Sequence, residues 1–156
     1  MDTEIIIRKA IPEDNPKVTG FAFAMMRSLG IEPEPEDIDA ALANFGRASA
    51  IPSRDFVAVD GEEPIGSILL REMSSSVVEL EGFYVKHQYQ GQGIGRKLLQ
   101  RALAEARKAG YERVILTTNK NLTAAIKMYR SFGWVRQPGK PDNGADYLFS
   151  LDLMSG

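Results

Sequence analysis

Hydrophobic residues recur along the chain with two periods, and each period predicts a different secondary structure. Clusters of β-branched or alternating apolar residues predict strands at Ile5–Arg8, Phe56–Val59, Ile65–Leu70, Val77–Val85, Val114–Thr117, near Trp134, and at Tyr147–Leu153. The second and third of these are joined through Asp60-Gly61, which is typical of a hairpin. The fourth is predicted to be the longest strand.

Apolar residues at helical spacing predict four helices between these strands. Asp14 is predicted to cap the first helix, which has a proline in its first turn and ends at Gly30. The second helix is short and starts at Pro35. The third follows a glycine-rich segment and ends at Gly110, and the fourth covers 122–132.

The predicted order is strand, two helices, three strands, helix, strand, helix, two strands. Because strands and helices do not alternate strictly, this order disfavours a doubly wound sheet and predicts a mixed α/β sandwich. A length of 156 residues suits a single domain over 1–156.

Composition excludes several functional classes. A formal net charge of -2 argues against a dedicated nucleic-acid binder, which would be markedly basic. The chain has no cysteine and a single histidine, so no metal site is expected. The N-terminal sequence is unlike a signal peptide, and no apolar run approaches the roughly 20 residues that span a bilayer. A cytoplasmic protein without a membrane partner is therefore expected.

The most informative segment is Gln90-Gly91-Gln92-Gly93-Ile94-Gly95, between the fourth predicted strand and the third helix. Backbone N–H groups of a glycine-rich turn and of a helix start form an anion site, and Arg96 adds positive charge. The glycine spacing differs from a dinucleotide fingerprint, and the Gly-Lys-Ser/Thr of a P-loop is absent. A helix-leading turn without a ligand stays open as an alternative.

Three segments make this sequence resemble the GNAT family of N-acetyltransferases. Gln90-x-x-Gly93-x-Gly95 resembles the family's coenzyme A signature, LEGFYVKHQYQ resembles its fourth strand, and NLTAAIKMYRSFGW resembles its second motif. The resemblance implies a central, mostly antiparallel sheet flanked by helices, with splayed fourth and fifth strands. It also implies acetyl-CoA as co-substrate and a small-molecule or peptide amine as acceptor.

The resemblance implies a set of residues that bind the cofactor. The backbone of Gln90, Gly91, Gln92, Gly93, Ile94, Gly95 and Arg96 would hold the pyrophosphate. The backbone of Phe83, Tyr84 and Val85 would pair with the pantetheine arm, helped by a bulge near Gly82. The Phe83 amide would polarise the acetyl carbonyl. Asn121 is expected to cap the fourth helix and is a candidate coenzyme A contact, with Asn119 as its rival.

The resemblance also implies catalytic residues. Tyr129 occupies the position of a general acid that protonates the departing thiolate. Glu79 matches a glutamate that serves as the base in the histone-modifying branch of the family, and Glu81 matches an acidic position common in its small bacterial members. Either could be the general base, the choice between them stays open, and a solvated acidic strand face remains the alternative. With a period of two, both are expected to share a face with Phe83 and Val85.

Other polar features received plainer interpretations. The acidic stretch Glu32, Glu34, Glu36, Asp37 and Asp39 is interpreted as a solvated helix start rather than as an acceptor pocket. His87 is expected to be exposed and Trp134 to be core. A non-catalytic acyl-CoA sensor and a nucleotide-binding protein remain as alternative functions. The oligomeric state is left open, with a homodimer as one option because dimers are common in the family.

Overall fold

The computed structural model describes residues 4–154. In chain order its elements are β1 Ile5–Lys9, α1 Asn15–Ser28, α2 Ala40–Ala43, β2 Ser53–Asp60, β3 Glu63–Glu72, β4 Val77–Val85, α3 Ile94–Lys108, β5 Arg113–Thr118, α4 Thr123–Ser131, β6 Val135–Gln137 and β7 Tyr147–Asp152. Single 3-10 turns lie at Pro12–Asp14 and His87–Tyr89. The predicted element order is confirmed, although β3 with 10 residues is longer than β4 with 9.

All seven described strands form one sheet in the order β1-β2-β3-β4-β5-β7-β6. Every neighbouring pair is antiparallel except β4 and β5, which run parallel because the chain crosses over between them through α3. The expected mixed, mostly antiparallel sheet is therefore confirmed.

Helices cover both faces of this sheet and bury two separate apolar layers. On one face, α3 contributes Leu98, Leu99 and Ala102 to a cluster that also contains Tyr129 of α4. On the other face, α1 and α2 contribute Val18, Ala22, Met26, Ala41 and Leu42 to a second cluster. Residues of β2 alternate between the two clusters, which is why this strand is apolar nearly throughout.

The sheet opens between β4 and β5. The two strands pair only at Val77–Arg113, Val78–Val114 and Glu79–Ile115. Beyond this point β4 continues to Val85 alongside β3, and β5 continues to Thr118 alongside β7. The two strands therefore diverge, as expected, and the second half of β4 offers an edge inside the sheet.

A bulge in β4 lies at the start of this unpaired edge. Ser67 pairs with Tyr84 and Leu69 with Glu81, so Ile68 of β3 stands opposite two residues of β4, Gly82 and Phe83. Gly82 has a φ of +57°, and the Ser67 hydroxyl donates to its carbonyl oxygen at 2.7 Å. The predicted bulge is confirmed.

The bulge reverses which side chains share a face. Phe83 and Val85 pack with the cluster under α3 and α4, together with Leu80. Glu81 is paired with Leu69, which belongs to the opposite cluster, and Tyr84 also packs there. The expectation that Glu79 and Glu81 share a face with Phe83 and Val85 is therefore wrong. The extra residue at Gly82 shifts the strict period of two by one position.

Two features near α1 differ from the sequence expectation. Asp14 stands at the N-cap position of α1, but its side chain makes no capping bond. Instead its carboxylate accepts bonds from Arg8 at 2.8 and 2.9 Å and from the Ile11 amide at 2.9 Å. A charge-assisted bidentate pair is stronger than a cap. The second helix also starts later than Pro35 and covers only Ala40–Ala43.

Gly82→Ala tests the importance of the bulge. A Cβ at this position would lie 3.0 Å from Leu42 Cδ1 and 3.2 Å from Leu69 Cδ2, in a left-handed backbone conformation. We expect a loss of about 1–3 kcal/mol in the free energy of unfolding, measured by urea denaturation. Gly20→Ala is the control, because its Cβ would have no neighbour within 4 Å inside α1. Equal stability of the two variants would contradict this account.

Candidate active site

The glycine segment forms an open cradle at the start of α3. Gly91 and Gly93 have φ angles of +79° and +83°, and a Cβ at either would have no neighbour within 4 Å. The first N–H groups of α3 have no intrahelical partner, and the helix dipole adds partial positive charge there. The side chains of Arg96 and Lys97 are exposed beside it. The cradle therefore has the charge and the space for a phosphate group.

The cradle is continuous with the unpaired edge of β4. A Cβ on Gly95 would lie 3.5 Å from the Phe83 ring and 3.8 Å from Met128 Cε. The Gln90 side chain donates to the Val85 carbonyl at 3.0 Å, which fastens the cradle to the end of β4. An extended ligand held by its phosphates at the cradle would therefore meet the Phe83–Val85 backbone, which has no paired strand on the β5 side.

Tyr129 of α4 packs beside the opening between β4 and β5, against the Phe83 ring. It extends from α4 with 7% of its surface exposed, between the rings of Phe83, Trp134 and Phe149 at centroid distances of 5.8 to 6.4 Å. Burial, with a smaller contribution from the nearby Tyr84, raises its pKa above the ordinary value for a phenol. The hydroxyl therefore stays protonated and can act as a hydrogen-bond donor.

Glu79 and Glu81 lie on the opposite face, where they share one cation. Arg71 of β3 donates through Nε to Glu81 at 2.5 Å and through Nη2 to Glu79 at 3.2 Å. Burial raises the pKa of both carboxyls, and for Glu79 the charge of Glu81 adds to the effect. Arg71 opposes both shifts. The pair thus combines raised proton affinity with a fixed position.

Tyr84 also packs on this face, and the charge of Asp39 acts on it. The charge of Asp39 raises the pKa of Glu81, and also that of Tyr84, which burial brings to about 12. Sequence reasoning assigned Asp39 to a solvated helix start and gave Arg71 no role. A signal for Arg71 was present, since two acidic residues two positions apart on a strand need a cation on the facing strand if they are buried.

The two asparagines do not behave as expected. Asn121 is exposed and precedes Leu122, which is the N-cap of α4, so the prediction that Asn121 caps this helix is wrong. The helix begins later because the Leu122 amide first closes a turn onto the Asn119 carbonyl at 3.0 Å. The Asn119 side chain accepts a bond from the Asp146 amide at 3.3 Å.

His87 and Trp134 have the exposure that the sequence predicted. His87 is exposed, and Trp134 is core with 3% exposure.

Residues 4–154 contain no group of three or more His, Cys, Asp or Glu side chains that could hold a metal ion. In the same residues, every helix is too short or too polar to cross a bilayer.

The fold is that of the acyl-CoA N-acyltransferases, as comparison with known proteins shows. The family model for the Acetyltransferase (GNAT) family matches residues 19–134. The chain therefore belongs to the GNAT acetyltransferase family. This confirms the family suggested by the sequence motifs.

Individual relatives agree with this assignment. The chain is 31% identical to the uncharacterized N-acetyltransferase YsnE of Bacillus subtilis over 78% of this chain and 80% of that protein. It is 29% identical to N-alpha-acetyltransferase 30 of Schizosaccharomyces pombe over 54% of this chain. The matched segment covers 59% of that relative, and 27% of another curated relative.

A solved structure shows the same fold. The PaiA N-acetyltransferase from Thermoplasma acidophilum, solved in complex with coenzyme A, superposes with a TM-score of 0.73 at 21% identity. The superposition covers 96% of this chain and 99% of that one.

Arg71→Gln tests the shared cation. Without Arg71, two partly buried carboxylates repel each other, and their pKa values rise further above the unfolded value. Such carboxyls destabilise the fold when ionised and cease to do so when protonated. We therefore expect a loss of about 1–3 kcal/mol relative to wild type at pH 7.5 and a smaller loss at pH 4. Urea denaturation at both pH values measures it.

Arg27→Gln is the matched control, because its ion pair with Glu32 is exposed on both sides. It should change stability by no more than about 0.5 kcal/mol at either pH. A loss for Arg71→Gln that is equally large at pH 4 and pH 7.5 would show that the guanidinium acts by packing rather than by charge.

Proposed function

We propose that this protein transfers the acetyl group of acetyl-CoA to a primary amine. The observation that carries the proposal is the continuity of an anion cradle at α3 with an unpaired strand edge at 83–85. A phosphate site alone would accept many nucleotides. A phosphate site followed by a strand edge fits a ligand whose pyrophosphate is attached to a long arm with amide groups, as in coenzyme A.

The proposed cofactor contacts are made mainly by the backbone. The N–H groups of residues 90–96 hold the pyrophosphate, and those of 83–85 pair with the amides of the arm. Open space at Gly91 and Gly93 lets the ligand approach these groups closely. Asn119 and Asn121 follow the end of β5. The Asn119 side chain is bonded to the Asp146 amide, so the exposed Asn121 side chain is the freer of the two to contact the cofactor.

The proposed chemistry uses both faces of the sheet. The Phe83 amide, at the bulge, donates to the acetyl carbonyl oxygen and stabilises the charge that develops there. The Tyr129 hydroxyl donates to the departing sulfur. A phenol whose pKa is raised transfers its proton to a thiolate only uphill, so hydrogen bonding is the main part of its role.

The proton of the amine is removed on the opposite face of the sheet, which faces α1 and α2. Glu79 and Glu81 face the helices α1 and α2, so we propose that the acceptor approaches from there while the cofactor arm lies against α3 and α4. One carboxylate of the pair accepts the proton, directly or through water. Because Arg71 binds Glu81 at the shorter distance, Glu79 is the less restrained acceptor.

Gly93→Ala tests the cradle. A Cβ there protrudes into the space proposed for the pyrophosphate, so the Kd for coenzyme A should rise at least about tenfold, measured by isothermal titration calorimetry. Gly110→Ala is the matched control, because Gly110 has the same left-handed conformation at the distant end of α3, with equally open space. If the two variants bind coenzyme A equally well, the cradle is not the cofactor site.

Removal of the candidate catalytic groups tests the chemistry. Tyr129→Phe should lower kcat roughly 100-fold in a thiol-release assay while coenzyme A binding persists. Tyr111→Phe, a similarly buried tyrosine at the other end of the sheet, should leave kcat unchanged. Glu79→Gln should remove the rise of kcat/KM with pH that ionisation of the base produces, and Glu81→Gln should preserve it.

The reverse result for the two glutamates would assign the base to Glu81. Tight binding of coenzyme A without thiol release across polyamines, amino acids, aminoglycosides and peptides would instead support a non-catalytic acyl-CoA sensor. A preference for ATP or NAD over coenzyme A in thermal-shift measurements would support a nucleotide-binding protein.

A further inference from the structure

A polar side chain lies in the apolar middle of β3. Residues 64–70 are all buried, and Ser67 is the one polar residue among them, with 0% exposure. A buried hydroxyl costs free energy unless it makes a hydrogen bond, so alanine would be the plainer residue at this position. The Ser67 hydroxyl donates to the Gly82 carbonyl oxygen at 2.7 Å. This bond therefore ties β3 to the bulge in β4.

The Ser67 side chain lies on the face of the sheet that packs against α1 and α2. Its partners in the neighbouring strands are Val57 of β2 and Tyr84 of β4, and both pack in the apolar cluster of that face. The Gly82 carbonyl is therefore held on the β3 side of β4, by a hydroxyl that reaches it from the face opposite to α3.

The peptide held in this way is the one that carries the Phe83 amide. In a planar trans peptide, the carbonyl and the N–H point in opposite directions. Because the Gly82 carbonyl is directed at Ser67 of β3, the Phe83 N–H is directed away from β3. That direction is toward the opening between β4 and β5, where β4 has no paired strand after Glu79.

Gly82 alone does not fix the orientation of this peptide. Glycine is conformationally permissive, and with a φ of +57° it occupies a region that other residues rarely adopt. Rotation of the peptide after Gly82 would turn the Phe83 N–H out of the opening. A hydrogen bond to the carbonyl opposes this rotation, and it also polarises the peptide, which makes the N–H a stronger donor.

Resting on the proposed function, we infer that Ser67 is a positioning residue for acetyl transfer, because it holds and polarises the peptide whose Phe83 N–H meets the acetyl oxygen. As the amine nitrogen bonds to the acetyl carbon, an electron pair of the C=O bond moves onto that oxygen. A donor that is already aligned stabilises this charge without reorganisation. Ser67 acts through the peptide and not by contact with either substrate.

Infrared difference spectroscopy detects the hydrogen bond to the acetyl oxygen directly. Acetyl-CoA isotope-labelled at its acetyl carbonyl carbon is bound without an acceptor amine, and its C=O stretching frequency is compared with that in solution. The wild-type protein should lower this frequency, and Ser67→Ala should lower it less. Ser67→Ala should also reduce kcat roughly tenfold in the thiol-release assay, while the Kd for coenzyme A, which lacks the acetyl group, stays within about twofold.

Ser53→Ala is the control for loss of a hydroxyl within the sheet. Ser53 of β2 donates to the Asp55 carboxylate at 2.8 Å, so this change also removes a hydrogen bond from a strand. It should leave the C=O frequency, kcat and the Kd for coenzyme A at their wild-type values.

A matched pair of larger residues separates the hydroxyl from packing. Ser67→Thr and Ser67→Val have the same shape, so any strain from the added methyl group is common to both, but only threonine can donate to the Gly82 carbonyl. Ser67→Thr should have a kcat at least about fivefold above that of Ser67→Val. Urea denaturation checks that both variants fold, and Ser67→Ala, which adds no atoms, decides the question if they do not.

The outcomes separate the inference from the proposed function. If Ser67→Ala keeps the wild-type C=O frequency and kcat, the inference is overturned and the acetyltransferase proposal stands. A Kd for coenzyme A that rises in proportion to the loss of kcat would also overturn it, because Ser67 would then support the strand edge as a whole. Absence of thiol release with every amine, despite coenzyme A binding, would overturn the proposed function and the inference with it.

Discussion

The divergence of β4 from β5 after Glu79, together with the bulge at Gly82 three residues later, is the constraint on which the rest of this site depends. After three paired positions the two strands separate, which leaves the backbone of 83–85 without a paired strand on the β5 side. The left-handed conformation of Gly82 inserts one extra residue, so Phe83 turns toward α3 while Glu79 and Glu81 remain toward α1. The divergence thus leaves an unpaired edge, and the bulge divides the strand between two faces.

This division gives each face a different chemistry. The face toward α3 is apolar around Phe83 and Met128 and ends at the anion cradle, which suits a long arm that carries phosphates. The other face concentrates carboxylates around a single guanidinium, where burial raises their pKa values. Tyr129, buried among aromatic rings, reaches the opening between them. In a reaction at this opening, the cofactor would bind on one face and the acceptor on the other. The two substrates would then not compete for the same surface.

Sequence reasoning predicted the element order, the sheet type and the family because these depend on local periodicity, on glycine positions and on short motifs. It failed where a tertiary contact decided the outcome. Periodicity placed Glu79 and Phe83 on one face, although the bulge that separates them was itself predicted, because its effect on side-chain direction was not followed along the strand. Asp14 was expected to cap a helix but pairs with Arg8. Arg71 lies on the facing strand of the same hairpin, 8 and 10 residues before the glutamates, so its pairing depended on a strand register that was not worked out. Asp39 is much further away in sequence, and only the folded chain brings its charge to bear on Glu81.

The most direct measurement of the central claim is hydrogen–deuterium exchange with and without coenzyme A. If the ligand pairs with the unpaired edge of β4, amides in 83–85 and in 93–96 should both become protected, whereas ADP, which has phosphates but no pantetheine arm, should protect only 93–96. Protection confined to 93–96 with coenzyme A as well would contradict the account, because the strand edge would then take no part in binding.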